Sequence, residues 1–229
     1  LKNETINAYI NRNNAIELTV FLAGLEKFTF YKAIEIKLLE DFPDFKSWNK
    51  DQQYYYFIKL MLDENHFNFS NKPKGVLPFH QYENHSVTPI EEHLKESVLY
   101  ASANGVSNLH FTVSETHKSQ FESTLLNVKS NIEETSGTTI NILFSHQKKH
   151  TDSLAVDSQN KPFRTENGEL VFRPGGHGAL IENLNSLDAD IVFIKNIDNV
   201  IQNEAKTIAF YKRGLAGLLI ELQGKVNSY

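Results

Sequence analysis

Three short segments carry the residues best suited to chemistry. Lys72-Pro73-Lys74-Gly75 places a lysine beside a rigid proline and a glycine that permits close backbone approach. A lysine ammonium is a compact point charge suited to phosphate, although the same run also reads as a solvated basic turn. Arg173-Pro174-Gly175-Gly176-His177-Gly178 precedes a predicted helix from Ala179. Its glycines let backbone N–H groups face a ligand, a helix N-terminus adds partial positive charge, and His177 could reach a ribose, base or phosphate. A tight hairpin-to-helix connection would need the same glycines. Asn196-Ile197-Asp198-Asn199 offers one carboxylate flanked by carboxamides. That donor set suits a magnesium ion that also takes water and substrate phosphates, or an Asx-type turn that caps a helix.

Other chemistries are poorly served. The histidines include no H-E-x-x-H pair, so zinc is not expected. Ser97, Ser114 and Ser145 lack a nucleophile-elbow context. Zero Cys removes disulfides, thiolate catalysis and thiolate metal sites. A net charge of −5 gives no electrostatic reason to expect nucleic acid. The chain shows neither a secretory leader nor an apolar run long enough to span a bilayer, so no membrane partner is expected and the compartment reads as cytoplasm.

Two textures position these segments. Over residues 1–70 the apolar residues recur at helical spacing, from Ile16 to Leu38 and again from Trp48 to Leu62, with Ser47 as an N-cap of the second run. The aromatic run Tyr54-Tyr55-Tyr56-Phe57 reads as core packing, with a base-stacking surface as the alternative. From residue 71 strands and helices alternate. Gly75–Phe79 is a predicted strand. Thr88-Pro89 starts a helix that ends at Asn104-Gly105, Ser114 caps a second that runs to about Glu134 and ends at Gly137, and strands are predicted at 109–113, 139–144 and 190–194. Asn167-Gly168 marks a hairpin turn, and 203–222 closes the chain as a helix. The order predicts an α/β fold with a mostly parallel, Rossmann-like sheet flanked by helices, over 71–229, after a helical segment over 1–70.

Taken together, Pro73-Lys74-Gly75, Phe144-Ser145-His146-Gln147, Pro174–Gly178 and Asn196–Asn199 resemble, in order and approximate spacing, the UTP–sugar-1-phosphate uridylyltransferases of GT-A-like fold. The chain is also similar along nearly its whole length to a bacterial family, domain of unknown function 4301. The similarity is notable at Lys74–His80, Thr151–Arg164 and Arg173–Val200.

The resemblance implies roles residue by residue. Lys74 would contact the nucleotide phosphates and act in catalysis, and Gln147 would lie near the base. Gly175, Gly176, His177 and Gly178 would wrap base and ribose, and Asp198 would hold Mg2+. The implied partners are a nucleoside triphosphate and a sugar-1-phosphate, joined with release of pyrophosphate. A non-catalytic nucleotide-sugar or protein-binding module is the alternative. The family's glycine-rich phosphate loop has no match before Lys74. With Leu1 at the start and Met61 the single methionine, the expectation is an internal fragment: the loop N-terminal to Leu1, residues 1–70 an insertion, the sugar-binding half after Tyr229, and no turnover by this chain alone.

Overall fold

The computed structural model describes residues 5–229. The chain divides into two compact units, Leu1–Ile90 and Glu91–Tyr229. The first unit is built on four helices: α1 (Ile6–Asn13), α2 (Ile16–Ala23), α3 (Tyr31–Asp41) and α4 (Lys50–Leu62). Thr5 caps α1 by accepting from the Ala8 N–H at 3.1 Å. The long predicted helix over 15–39 is interrupted after Ala23, where Gly24 leads into a 3-10 turn at Leu25–Lys27. Asn49, not Ser47, caps α4: its Oδ1 accepts from the Gln52 N–H at 2.9 Å, while Ser47 ends a preceding 3-10 turn.

Ile6, Leu22, Leu25, Ile34, Leu38, Phe45, Phe57 and Leu60 are buried together. Aromatic rings knit this core. Tyr31 stacks on Phe57 at 5.3 Å, and Trp48 meets Tyr56 edge-on at 5.0 Å. The aromatic run of α4 is therefore core packing.

Lys74 does not enter a strand. Lys74–Val76 is a 3-10 turn, and the first extended pair is β1 (His80–Gln81) against β2 (Ser86–Val87), antiparallel. Pro73 and Pro78 explain part of the difference: they bracket the segment, and neither can donate to a ladder.

In the second unit, α5 (Pro89–Tyr100) begins at the predicted proline but stops before Ser102. β3 (Ser102–Ala103) and β4 (Val106–Thr112) follow as an antiparallel pair. Asn104 and Gly105 both have positive φ, 52° and 77°. They form the tight turn of a hairpin rather than the end of the helix. α6 (Lys118–Ser136) closes on Gly137, whose φ is 66° and whose N–H reaches Glu133 O. β5 (Thr139–Ser145) then lies parallel to β4 in a seven-residue register, Val106 opposite Thr139 through Thr112 opposite Ser145.

One face of this pair carries Leu109, Phe111, Ile140, Ile142 and Phe144 toward Phe121, Leu125 and Ile132 of α6. The other face carries Asn108 and Asn141, hydrogen-bonded at 3.0 Å, and an exposed Leu143. Strands that alternate in this way bury one face only, whereas a doubly wound parallel sheet buries both.

The remaining strands are short: β6 (Ser153–Leu154) pairs antiparallel with β7 (Phe172–Arg173). α7 (Ile181–Asn185) and α8 (Ala205–Asn227) complete the order. The result is a mixed α and β architecture with small sheets. The expected mostly parallel GT-A or Rossmann-like sheet is not what the chain forms: β4–β5 is the one parallel pair among the described strands. The predicted strand at 190–194 alternates in burial like a strand but pairs with no other strand among the described residues. Among the described residues, no helix is long and apolar enough to cross a membrane.

Candidate functional site

The carboxyl end of β5 gathers polar groups. Ser145 Oγ lies 3.3 Å from Thr112 Oγ1 across the parallel pair, and His146 Nδ1 lies 2.8 Å from Val113 O. Asn183 of α7 is buried here and donates through Nδ2 to Ser145 Oγ at 2.7 Å and to His146 O at 3.0 Å. These bonds tie α7 to the strand end. Glu182 beside it accepts from Lys148 at 2.8 Å and lies 2.9 Å from His150. The two hydrogen bonds, Lys148 first, hold its carboxyl down at about 2. His146 and His150 stand four residues apart, but they engage Val113 and Glu182 separately, in a loop and a 3-10 turn, and so do not converge as a ligand pair.

Gln147 and Gly175 are brought together. A Cβ built on Gly175 would lie 3.5 Å from Gln147 Nε2, 3.0 Å from Ala179 Cβ and 2.6 Å from Thr151 O. Gln147 Nε2 also lies 3.4 Å from Asp152 Oδ1. Gly175 is thus required for its close approach to backbone. Gly176 and Gly178 are not: a Cβ on either meets nothing within 4 Å.

His177 opens a 3-10 turn, His177–Leu180, and α7 behind it has five residues. The helix expected from Ala179 is therefore too short to present the partial charge of a long helix end. Gly175→Ala is expected to cost about 1–3 kcal/mol, because the Thr151 carbonyl must move. Gly176→Ala and Gly178→Ala should stay within about 0.5 kcal/mol. Urea unfolding of the three variants checks this. Equal losses at all three positions would contradict the packing.

Asp198 rests on a different segment, 193–201, which α5 holds from one helix face. His93, Glu96 and Tyr100 lie three and four residues apart on that face. Phe193 meets the Tyr100 ring edge-on at 5.0 Å, and His93 Nε2 lies 3.0 Å from Ile197 O. The Ile201 N–H donates to Glu96 Oε1 at 3.2 Å, and Lys195 Nζ donates to Glu96 Oε2. Asn199 N–H closes a turn on Asn196 O at 3.0 Å, which presents Asp198 within an Asx-rich loop rather than at the end of a strand.

Burial, followed by the Lys195 charge, pushes the His93 imidazole below its ordinary value. Among the described residues, no three His, Cys, Asp or Glu side chains group as an all-protein metal cage. Lys74 belongs to the first unit, in its 3-10 turn with Gly75 buried.

A sequence profile of the domain of unknown function DUF4301 matches residues 1–229. The chain belongs to the DUF4301 family. Neither a curated protein nor a solved structure matches it.

The DUF4301 chain also carries ionisable residues that sequence reasoning passed over: Glu96, Tyr100, Lys195 and Lys212. Glu96 is 3% exposed. Lys212 Nζ, from α8, donates to Tyr100 OH at 2.9 Å and sits 3.8 Å from Glu96 Oε2. The sequence signal was a Glu at helical spacing from His93 and Tyr100 in an otherwise well-patterned helix, facing a Lys in an apolar run.

Burial first, then Lys195, lowers Lys212 to about 8 from the ordinary 10.5. Between these values the unfolded chain holds more protons than the folded one, so stability rises with pH across the window. Burial and Glu96 raise Tyr100 above its ordinary 10.0. Above 10 the unfolded chain therefore loses the tyrosine proton first, and stability turns down again. Urea midpoints should climb from pH 8 to pH 9.5, and Lys212→Met should flatten that climb. A climb of the same size in the variant would contradict the assignment.

Proposed function

We propose that this chain carries the nucleotide side of a magnesium-dependent nucleotidyltransferase, which joins a nucleoside triphosphate, UTP first among them, to a sugar-1-phosphate. The observation that carries this reading is the packing of the Pro174–Gly178 segment onto the Gln147 loop at the carboxyl end of the parallel pair. Ligands of open α/β proteins collect at such strand ends. The resemblance to the uridylyltransferases and their GT-A-like layer belongs to this reading, with the β4–α6–β5 unit as its counterpart here.

In it, Gln147 offers its carboxamide to the base, and the backbone at Gly175, Gly176 and Gly178 lies against base and ribose. The imidazole of His177 hydrogen-bonds ribose or phosphate. Asp198 would hold Mg2+, which when bound neutralises phosphate charge. The sugar phosphate attacks the nucleotide α-phosphate in line and pyrophosphate leaves, so the protein contributes position and charge rather than a covalent intermediate.

Equilibrium binding of UTP with and without magnesium tests the metal assignment. Asp198→Ala is expected to weaken magnesium-dependent binding by at least about tenfold while leaving the urea midpoint near wild type. Unchanged affinity would overturn the role of Asp198.

A further inference from the structure

Two partly buried lysines share one buried carboxylate at α8. Lys195 Nζ donates to Glu96 Oε2, and Lys212 Nζ lies 3.8 Å from the same oxygen. Their side chains are 12% and 22% exposed, and that of Glu96 4%. The groups facing Lys212 are Glu96 and Tyr100 from α5 and Lys195 from the 193–201 segment. Two ammonium groups against one carboxylate leave one positive charge without a counter-charge. The best-placed oxygen for Lys212 is the Tyr100 hydroxyl, a neutral partner, with the Tyr100 ring centroid 4.0 Å away. Burying an uncompensated charge is costly.

We propose that Lys212, Lys195 and the Tyr100 hydroxyl form an anion site that takes a phosphate group. Lys212 is the more exposed of the two lysines and forms the open side. Its ammonium hydrogens point-bind one phosphate oxygen, the Tyr100 O–H turns toward another from its long 3.4 Å bond to Glu96 Oε2, and Lys195 remains shared with Glu96. A phosphate dianion suits the site better than a carboxylate, because it offers more charge and more acceptor oxygens to donors on three elements. This site stands apart from the Asp198 assignment, since it needs no metal.

Calorimetric titration in EDTA with inorganic phosphate, pyrophosphate and UTP tests it and separates free phosphate from nucleotide as the source. The wild-type chain is expected to bind at least one of the three, and Lys212→Met to weaken that binding by about tenfold or more, the loss expected for a charge-assisted hydrogen bond. Lys212→Met should fold at least as well as wild type, because it removes the repulsion from Lys195.

Near pH 8.5, wild-type binding should take up protons, read from its dependence on buffer ionisation heat. Lys212→Arg should bind without that uptake, because arginine stays protonated. No binding by the folded wild-type chain would overturn the proposal. So would equal affinity in Lys212→Met, or undiminished proton uptake in Lys212→Arg.

Discussion

Glu96→Ala should destabilise the Glu91–Tyr229 unit by about 3–5 kcal/mol, the range for removing one partner of a buried ion pair. The loss comes from what remains behind. Lys195 and Lys212 keep their places, 12% and 22% exposed, with no carboxylate between them. The Ile201 N–H also loses its acceptor, and with it one of the bonds that hold the Asp198 segment to α5. Glu96→Gln retains an oxygen for Ile201 but not the charge, so it should fall between wild type and alanine. The double variant Glu96→Ala, Lys195→Met should recover part of the loss, because it removes one stranded cation. Hydrogen exchange of the β4 and β5 amides under mild urea reads the unit's stability directly. Protection unchanged in Glu96→Ala would show that the cluster does not hold the unit together.

Phe57→Ala should cost the helical unit about 3–5 kcal/mol, the cost of truncating a buried aromatic. Phe57 is 2% exposed and stacks on Tyr31 at 5.3 Å, between α3 and α4. Tyr55, two positions before it, is 40% exposed. Tyr55→Ala should change stability by less than about 1 kcal/mol. Trp48 is the single tryptophan and lies in this unit against Tyr56, so its fluorescence in urea follows the relevant transition. Similar losses at both positions would contradict the division of the aromatic run into a buried and an open face.

Local signals in the sequence were read well where one residue decides the geometry. Thr88-Pro89 starts α5 at Pro89, and Gly137 ends α6 with the positive φ that a left-handed cap needs. The β4–α6–β5 unit follows from the change in period, from two to three or four and back. Asn104-Gly105 was misread because a glycine after a helical run marks a helix end as readily as a turn, and what separates them is the two-residue strand that fits between.

The strand expected at 190–194 has the right composition and alternation. Pairing, however, is a property of neighbours. Here α5 takes one side of the segment through Tyr100 and Glu96.

Of the residues singled out in the sequence, Gln147 and Gly175 are brought together, and Gly175 lies so close to the Thr151 carbonyl that any Cβ there would clash. Gly176 and Gly178 look identical in sequence, yet they face open space. Glu96, Lys195 and Lys212 were invisible for a different reason. Charges spread over a helix, a loop and a second helix declare themselves only when the fold brings them to one point.

The most direct test of the central claim is pyrophosphate release by the open reading frame that contains this chain. Each of the four nucleoside triphosphates would be supplied with magnesium and a panel of sugar-1-phosphates, with Asp198→Ala as control. The proposed function predicts release that requires one nucleotide, one sugar phosphate and Asp198. A folded protein that binds nucleotide but releases no pyrophosphate across the panel would contradict it and leave a nucleotide-binding module in its place.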